Sequence, residues 1–384
     1  MNIAFDAKRA FSNSTGLGHY SRTLIRSLSE FFPEHEYFLC APKLSNRFDV
    51  ANLKHAYAVT PQHFPSSVFT AAWRSSWVKK DLQQLKIDLY HGLSNEIPMG
   101  IEKTGIKSVV TIHDLIFERF PGQYNKIDVQ IYRKKFRYAC EHADRIIAIS
   151  KQTKDDIIQF YKIPENKITV CYQSCNEAFS LAVSDAEKQR IKQQYNLPDK
   201  FFISVGSIIE RKNLLTVCKA MLRLKNTLNI PLIVIGEGKK YKRMVTEFIN
   251  KHALQSQIIF LSEIELLRSL KSFQSSFDFP AIYHQALCMI YPSVFEGFGI
   301  PVLEALWSKI PVITSNISSL PEAGGDGALY VDPLNEQQIA DAMLKVCTNT
   351  ELRKELINKG WKYAQNFAPE KTAADVMNVY KGLS

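Results

Sequence analysis

The sequence lacks an uninterrupted apolar run approaching the ~20 residues needed to cross a bilayer, so a membrane-spanning helix is excluded. Glycine and proline are few, at 16 each in 384 residues, which excludes a collagen-like chain. The seven cysteines are scattered and odd in number, which predicts reduced thiols in a cytosolic protein. Asp6 comes before any apolar stretch of signal-peptide length, so secretion is not expected either.

Several functional motifs are also missing. There is no G-x-x-x-x-G-K-[ST] loop for ATP hydrolysis and no G-x-S-x-G elbow of a serine hydrolase. Gly16-Leu17-Gly18 is followed by Ser21 where a dinucleotide fingerprint needs glycine, which argues against an NAD-dependent oxidoreductase. Cys171 and Cys175 have no second cysteine pair or histidine cluster, so zinc is not expected.

Positive charge is in excess. The chain has 48 Lys and Arg against 38 Asp and Glu, a net charge of +10, which favours anionic partners such as phosphorylated small molecules or acidic lipid head groups. No RNA-binding motif, zinc-finger spacing or basic region with heptads is present, so nucleic acid is not an expected partner. The densest basic run, Arg133-Lys134-Lys135-Phe136-Arg137, predicts either a solvated helix face or a contact with an anionic membrane.

Short apolar runs alternate with segments of helical period along the whole chain. This pattern predicts an α/β protein with doubly wound parallel sheets, because continuous β-branched and aromatic runs are typical of strands buried on both faces. The alternation occurs twice, on either side of a polar linker at about 176–199, and 263–279 is predicted to be a helix-loop insertion. The predicted strands are Asn2–Phe5, Tyr37–Cys40, Leu89–His91, Ser108–Ile112, Arg145–Ile149, Ile168–Cys171, Phe201–Val205, Leu232–Ile235, Ile258–Leu261, Cys288–Tyr291, Pro311–Thr314 and Ala328–Val331.

The strongest candidate site follows the strand Cys288–Tyr291. Glu296 lies in a glycine-rich turn, and Glu304 lies eight positions later, one or two turns into a predicted helix whose pattern includes Leu303–Trp307. Gly297 and Gly299 allow the backbone to present its N–H groups at a helix N-terminus, which suits an anion or sugar hydroxyls. A carboxylate is a good acceptor for vicinal hydroxyls, so the spacing predicts a site for a sugar.

This segment resembles the E-x7-E motif of family 4 retaining glycosyltransferases, the group 1 glycosyl transferases with GT-B architecture. Other stretches resemble the family in the same order along the chain: Gly16-Leu17-Gly18-His19-Tyr20, Thr111-Ile112-His113-Asp114-Leu115, Val205-Gly206-Ser207, Arg211-Lys212-Asn213-Leu214, Gly236-Glu237-Gly238 and Leu320-Pro321-Glu322-Ala323. The resemblance spans nearly the whole chain, and its C-terminal half is the more specific part.

The resemblance implies two Rossmann-like domains that face an inter-domain cleft. Residues 1–178, with a crossover helix at 369–384, would form the acceptor-side domain, and residues 179–368 would bind the nucleotide-sugar donor. No cofactor and no metal are implied, in keeping with the absence of a D-x-D motif. The donor-binding residues implied are Gly16, Gly18, Gly206, Gly236, Gly297, Phe298, Gly299, Ile300 and Glu304.

Glu296, Arg211, Lys212 and His113 are the implied catalytic residues. A leaving nucleoside diphosphate gains negative charge, which an adjacent Arg and Lys can stabilise without a metal. His113 resembles the cleft histidine near the donor sugar, where it would bond a sugar hydroxyl and supply partial charge, and Asp114 is expected to cap a helix or orient that histidine. Glu304 would hold the ribose hydroxyls, and Glu296 with the 297–300 backbone would hold the transferred sugar.

The resemblance leans toward mannosyltransferase-like members that build cell-surface polysaccharides. GDP-mannose is the first expected donor, with UDP-sugars second, and a glycan or lipid-linked acceptor is expected. The protein is expected in the cytoplasm, with peripheral contact at the inner membrane face. Two alternatives stay open: a catalytically silent sugar-nucleotide-binding protein, and another GT-B enzyme such as a UDP-sugar epimerase or a phosphorylase. The E-x7-E segment with Arg211-Lys212 argues against the epimerase, and the lack of a pyridoxal lysine motif argues against the phosphorylase.

Overall fold

The computed structural model describes residues 1–383 and divides into two compact units. The first unit contains Met1–Cys175 and the C-terminal residues from Phe367 onward, and the second contains Asn176–Asn366. Each unit is built around one parallel sheet, and each is described by itself below.

The sheet of the first unit has seven parallel strands in the order β3-β2-β1-β4-β5-β6-β7. In the middle of the sheet, Phe5 of β1 pairs with Leu39 of β2 on one side and with His91 of β4 on the other. The strands are β1 (Asn2–Asp6), β2 (Glu36–Cys40), β3 (Ala56–Val59), β4 (Leu89–Gly92), β5 (Lys107–Ile112), β6 (Arg145–Ala148) and β7 (Ile168–Val170).

Helices cover both faces of this sheet. Side chains alternate between the two faces along each strand, so each face carries apolar side chains that a helix can bury. Ala4 packs in a core with Trp73 and Phe136, whereas its neighbours Ile3 and Phe5 pack on the opposite face. The helices of residues 1–175 are α1 (Lys8–Ser12), α2 (Gly16–Phe31), α3 (Thr70–Ala72), α4 (Val78–Gln84), α5 (Ile116–Arg119), α6 (Lys126–His142) and α7 (Lys151–Tyr161), with a π-helical turn at Trp73–Trp77 and 3-10 turns at Ile101–Lys103, Pro121–Gln123 and Glu165–Lys167.

The sheet of the second unit has six parallel strands in the order β10-β9-β8-β11-β12-β13. They are β8 (Phe202–Val205), β9 (Leu232–Ile235), β10 (Ile258–Phe260), β11 (Cys288–Tyr291), β12 (Val312–Ser315) and β13 (Ala328–Val331). The helices are α8 (Asp185–Gln194), α9 (Leu214–Leu224), α10 (Lys240–Lys251), α11 (Glu265–Ser269), α12 (Lys271–Gln274), α13 (Phe279–Tyr283), α14 (Ile300–Trp307), α15 (Leu320–Gly324), α16 (Glu336–Thr348) and α17 (Thr350–Ala364), with 3-10 turns at Glu177–Phe179, Glu210–Lys212, Leu261–Glu263, Gly325–Gly327 and Gln365–Phe367.

The last helix, α18 (Pro369–Lys381), belongs to the first unit, where it packs against α2. Its Tyr380 is fully buried in the core that contains Ile3 and Leu28. The chain therefore returns to the first unit after completing the second.

The predicted α/β fold with parallel sheets is confirmed, and each predicted strand overlaps a real one. The prediction missed β3, an edge strand whose Tyr57 is 49% exposed, because an exposed edge strand lacks the continuous apolar run of a buried one. The polar linker predicted at about 176–199 begins where the first unit ends, at Cys175, and it contains the helix α8, which was not predicted. Ser184 caps α8 by accepting a hydrogen bond from the backbone N–H of Glu187, a capping box readable from the sequence.

Candidate active site

Three loops meet at the carboxyl edge of the second sheet. The loop after β8 carries Arg211 and Lys212, and the loop after β11 carries Glu296. The loop after β12 contacts the loop that carries Glu296. The backbone N–H of Val294 donates to the carbonyl oxygen of Arg211 at 2.9 Å, which ties the first two loops together directly. Because β8, β11 and β12 are neighbours in the sheet, residues more than 80 positions apart converge here.

Glu296 sits between the two cations. Its Oε2 is 2.9 Å from Nη1 of Arg211, and its Oε1 is 2.6 Å from Nζ of Lys212. The three side chains are only 11%, 18% and 9% exposed for Arg211, Lys212 and Glu296 respectively, so the cluster is largely shielded from solvent. Arg211 also donates to the carbonyl oxygen of Phe295 at 2.5 Å, which fixes the guanidinium group against the Glu296 loop.

The electrostatics of the cluster follow from this pairing. Burial acts to raise the pKa of the Glu296 carboxyl, but Lys212 and Arg211 outweigh it and hold that pKa below its usual value. Tyr291 donates to Oε1 of Glu296 at 3.1 Å and receives a hydrogen bond from Nζ of Lys212. Two cations and one carboxylate leave a net charge of +1, so the cluster can attract an anion.

The loop after β12 holds the backbone around Glu296. The Glu296 N–H donates to Oγ of Ser318 at 3.1 Å, and the Glu296 carbonyl accepts from the hydroxyls of Ser318 and Ser319, each at 2.9 Å. Ser319 also donates to the carbonyl of Phe298 at 2.9 Å. This support was not predicted from the sequence, although the two serines lie within four positions of the end of β12.

The helix α14 begins where glycine is required. Gly299 has φ of +119°, a conformation that other residues rarely adopt, and a Cβ there would lie 2.9 Å from Cδ2 of Leu320. The predicted donor-binding residues Gly297 and Phe298 are buried beside it, and Ile300 is partly buried at the first position of α14. The glycine-rich turn and the following helix thus occur as predicted.

Asn213, which was not singled out from the sequence, joins the loop after β8 to the loops after β11 and β13. It adopts a left-handed conformation, with φ of +62°, directly after Lys212 and at the start of α9. Its Nδ2 donates to the carbonyls of Pro292 at 3.1 Å and Pro333 at 2.6 Å. Asparagine tolerates this conformation better than most residues, which explains its position.

Glu304 lies apart from the Glu296 contacts, on α14. The hydroxyl of Tyr283 donates to its Oε2 at 2.9 Å. Burial raises the pKa of the Glu304 carboxyl to about 7, and the Tyr283 hydrogen bond acts in the opposite direction. The carboxyl therefore changes its protonation state near neutral pH, unlike that of Glu296.

The two glycines that follow β8 and β9 allow their loops to touch. A Cβ on Gly236 would lie 1.9 Å from the carbonyl oxygen of Gly206, which no side chain could accommodate. Gly206 itself has φ of +135°. These glycines bring the β9 loop against the start of the loop that carries Arg211 and Lys212, and a direct role in donor binding stays a prediction.

In the first unit, His113 follows β5 and is buried. Its Nε2 donates to the carbonyl oxygen of Leu93 at 2.8 Å, so this nitrogen carries the proton. Burial lowers the pKa of His113 to about 4, and the imidazole is therefore neutral at pH 7. In this neutral tautomer Nδ1 can accept a hydrogen bond, and the expected contact of His113 with a sugar hydroxyl stays a prediction. Asp114 accepts a hydrogen bond at 3.1 Å from the N–H of Ile116, the first residue of α5, but the N-cap position of that helix is Leu115 rather than Asp114.

Gly16 and Gly18 open α2, at the carboxyl edge of the first sheet. A Cβ on Gly18 would lie 2.0 Å from the carbonyl oxygen of Asn13, whereas one on Gly16 would meet nothing within 4 Å. Gly18 is therefore required by the tight approach of the α1–α2 turn. Presentation of N–H groups to a diphosphate stays a prediction.

A buried polar chain, not predicted from the sequence, secures α18 to this edge. His91 bonds the hydroxyl of Tyr380 through Nδ1 at 2.5 Å and Oγ1 of Thr111 through Nε2 at 2.8 Å. Thr111 bonds the hydroxyl of Tyr20, whose ring packs edge-on against His113 with centroids 4.6 Å apart. The C-terminal helix and the His113 region are thus linked by hydrogen bonds.

Two known family models match the chain. Residues 185–363 match the family model for group 1 glycosyl transferases, and residues 14–179 match that for glycosyltransferase family 4. The chain belongs to the family 4 glycosyltransferases. The resemblance noted in the sequence is thereby confirmed.

Named relatives match this glycosyltransferase over most or all of its length. It is 24% identical to O-antigen chain mannosyltransferase B of Escherichia coli over 100% of both chains. It is 25% identical to O-antigen chain mannosyltransferase RfbU of Salmonella typhimurium, over 88% of this chain and 89% of the relative. The crystal structure of Anabaena HepE in complex with UDP-glucose superposes with a TM-score of 0.73 at 14% identity, over 100% of both chains, and this likeness shows the GT-B fold.

Among residues 1–383 of this glycosyltransferase, no helix combines the length and the apolar character that crossing a membrane demands.

Proposed function

We propose that the protein transfers a hexose, mannose in the first instance, from a nucleoside diphosphate sugar to a glycan or lipid-linked acceptor. The reaction would serve the synthesis of a cell-surface polysaccharide. The names of the full-length relatives, both O-antigen mannosyltransferases, support mannose and this class of acceptor. GDP-mannose is the first donor to test and a UDP-sugar the second, since HepE is titled as a complex with UDP-glucose.

The cluster of Arg211, Lys212 and Glu296 is the observation that carries this proposal. Two cations are held in fixed positions in a site that largely excludes solvent. Preorganised charge of this kind is the most effective way to stabilise the charge that develops on a leaving diphosphate. We assign Arg211 and Lys212 to the diphosphate, Glu296 with the 297–300 backbone to the transferred sugar, and Glu304 to the ribose hydroxyls.

The proposed mechanism keeps the anomeric configuration. As the glycosidic bond breaks, the sugar becomes a short-lived oxocarbenium ion, and the bonding electrons pass to the diphosphate oxygen that the cations stabilise. The acceptor hydroxyl attacks from the same face, and its proton passes to the leaving phosphate. Metal-independence follows in this proposal from the paired cations, which supply the charge that a divalent ion would otherwise supply.

The donor is proposed to dock on residues 179–368 and the acceptor to enter over residues 1–178. His113, whose Nδ1 can accept a hydrogen bond, is assigned to a hydroxyl of the donor sugar. The protein is proposed to work in the cytoplasm with a peripheral contact at the inner membrane face.

A donor panel tests the proposal. Purified protein is incubated with GDP-mannose, GDP-fucose, UDP-glucose and UDP-galactose, with and without a chelator, and release of the nucleoside diphosphate is measured beside thermal stabilisation. We expect release from GDP-mannose that the chelator leaves unchanged. Thermal stabilisation by a nucleotide sugar without any release or transfer would instead support the silent binding protein.

A further inference from the structure

The segment between β3 and α4 exposes an unusual amount of apolar surface. Phe64, Val68 and Phe69 are 80%, 65% and 56% exposed, and Trp77 is 37% exposed. The rings of Phe69 and Trp77 pack edge to face with centroids 6.5 Å apart, so the two form one patch. Burial of such side chains is favourable by about 1.5–3 kcal/mol each, which makes their exposure informative.

The first turns of α6 expose a second apolar pair. Ile127 and Ile131 are 70% and 44% exposed and lie four positions apart, on the same side of the helix. Lys126 and Lys134 line a shallow depression together with them. Val129 and Phe136 are buried on the other side of α6, so the exposed isoleucines are not needed for the core.

Both groups lie at the carboxyl edge of the first sheet. The 64–77 segment follows β3 and precedes α4, and the start of α6 follows β5, so each sits where a helix begins its return to the next strand. α4 and α6 also pack on the same face of the sheet, within one core that contains Leu82 and Phe136.

An ion-pair chain joins the two groups. Oε2 of Glu96 is 3.0 Å from Nη1 of Arg74, in the π-helical turn before α4, and 3.0 Å from Nζ of Lys135 on α6. Because Glu96 bridges the two segments, we treat the exposed apolar side chains of both as one candidate surface, here named the docking edge: Phe64, Val68, Phe69, Trp77, Ile127 and Ile131.

The charges around the docking edge select an anionic partner. In the basic run on α6, Arg133 is paired with Glu118 and Lys135 is paired with Glu96. Lys134 of this run and Lys126 at the start of α6 form no ion pair with any described residue. Lys80 is exposed at the start of α4, and Asp128 is the exposed acid between the lysines of α6. Exposed apolar side chains flanked by unpaired lysines are the composition of an interfacial membrane contact.

We propose that the docking edge inserts its apolar side chains into the head-group region of an anionic bilayer while Lys126 and Lys134 bind the lipid phosphates. This proposal deepens the membrane contact named in the proposed function, because it assigns that contact to particular residues. Docking by this edge would hold the carboxyl end of the first sheet, with His113 and the start of α2, beside the bilayer that contains a lipid-linked acceptor.

Vesicle co-sedimentation of the full chain tests the proposal. The vesicles contain phosphatidylcholine alone or phosphatidylcholine with phosphatidylglycerol. We expect binding to the anionic vesicles that weakens as salt is raised, and weak binding to the neutral ones. Equal binding to both, or none to either, would overturn the proposal.

Two double variants locate the surface. Lys126→Glu with Lys134→Glu should weaken binding to anionic vesicles by at least about 30-fold, since each lysine near an anionic surface contributes about 1 kcal/mol. Lys251→Glu with Lys371→Glu changes the net charge equally at exposed lysines elsewhere and should weaken binding much less. Equal losses in both variants would show that only net charge matters and would overturn the assignment.

Ile127→Ser with Ile131→Ser should weaken binding about tenfold, because less apolar surface is buried in the interface. Leu334→Ser, at a residue of the second unit that is 76% exposed, is the matched control and should leave binding unchanged. Loss of self-association rather than of vesicle binding in the isoleucine variant would show that the edge binds a second copy, and would refute docking on lipid.

Donor turnover measured on the same samples separates the two proposals. A protein that releases nucleoside diphosphate but ignores vesicles refutes docking alone, and one that binds vesicles through this edge but turns over no donor refutes only the proposed function.

Discussion

Replacement of Lys212 by alanine separates a catalytic role from a structural one. The change removes the 2.6 Å ion pair with Glu296 and the hydrogen bond to Tyr291. Loss of a preorganised charge at a leaving group typically lowers turnover by about 10²-fold or more. We therefore expect at least that loss in kcat with the preferred nucleotide sugar.

The free energy of unfolding should fall by less than it would if a buried charge were left without any partner. Removal of one partner of a buried ion pair costs about 3–5 kcal/mol when the other charge is left alone. Here Glu296 keeps Arg211 at 2.9 Å, so we expect a loss of about 1–3 kcal/mol. A typical domain has a free energy of unfolding of about 5–15 kcal/mol, so the variant should stay almost fully folded at 25 °C.

The assay measures nucleoside diphosphate release at saturating donor beside a thermal melt. The control is Arg223→Ala, at a residue in the last turn of α9. This change removes an exposed 2.6 Å ion pair between Arg223 and Glu336 and should leave turnover unchanged. A folded Lys212→Ala protein with undiminished turnover would refute the role of Lys212 on the diphosphate.

Three further changes test other parts of the structure. With the pKa of Glu304 at about 7, the carboxylate form, which would accept the ribose hydroxyls in the proposed function, grows as pH rises; calorimetry should show GDP binding that tightens from about pH 6 to pH 8 by more than it does in Glu304→Gln, where only the terminal phosphate of GDP, with a pKa of about 6, still titrates. Gly18→Ala should lower the melting temperature strongly, because its Cβ would lie 2.0 Å from a carbonyl oxygen, whereas Gly16→Ala should not; equal effects would contradict the close approach. Tyr380→Phe should cost about 1–3 kcal/mol in denaturant unfolding by leaving a buried nitrogen of His91 unbonded; no loss would contradict the importance of this bond.

Buried elements could be predicted from the sequence because their residues carry one dominant signal. The run Cys288–Tyr291 is apolar throughout, and the structure makes it the fully buried strand β11. The edge strand β3, with an exposed Tyr57, does not need such a run and was missed. The helix α8 was missed for a different reason, since its polar residues hide the period and only the Ser184 cap marks its start.

The candidate site was predictable as a set of residues but not as an arrangement. The sequence placed Arg211 and Glu296 after separate strands. The structure makes these strands, β8 and β11, neighbours in the sheet, and the two side chains form an ion pair at 2.9 Å. The serine contacts to the Glu296 backbone and the left-handed Asn213 depend on the same neighbouring loops. The neutral state of His113 could not be foreseen, because it depends on burial and on the carbonyl of Leu93.

In the proposed function, Arg211 and Lys212 bind the diphosphate of a nucleotide sugar. Calorimetric titration with GDP and with guanosine, and with UDP and uridine, measures what the diphosphate contributes to binding. Charge-assisted hydrogen bonds contribute about 1.5–3 kcal/mol each, so the wild-type protein should bind the preferred diphosphate at least about 100-fold more tightly than its nucleoside. The Arg211→Ala, Lys212→Ala double variant should lose most of that difference, and an unchanged ratio in the folded variant would contradict the claim.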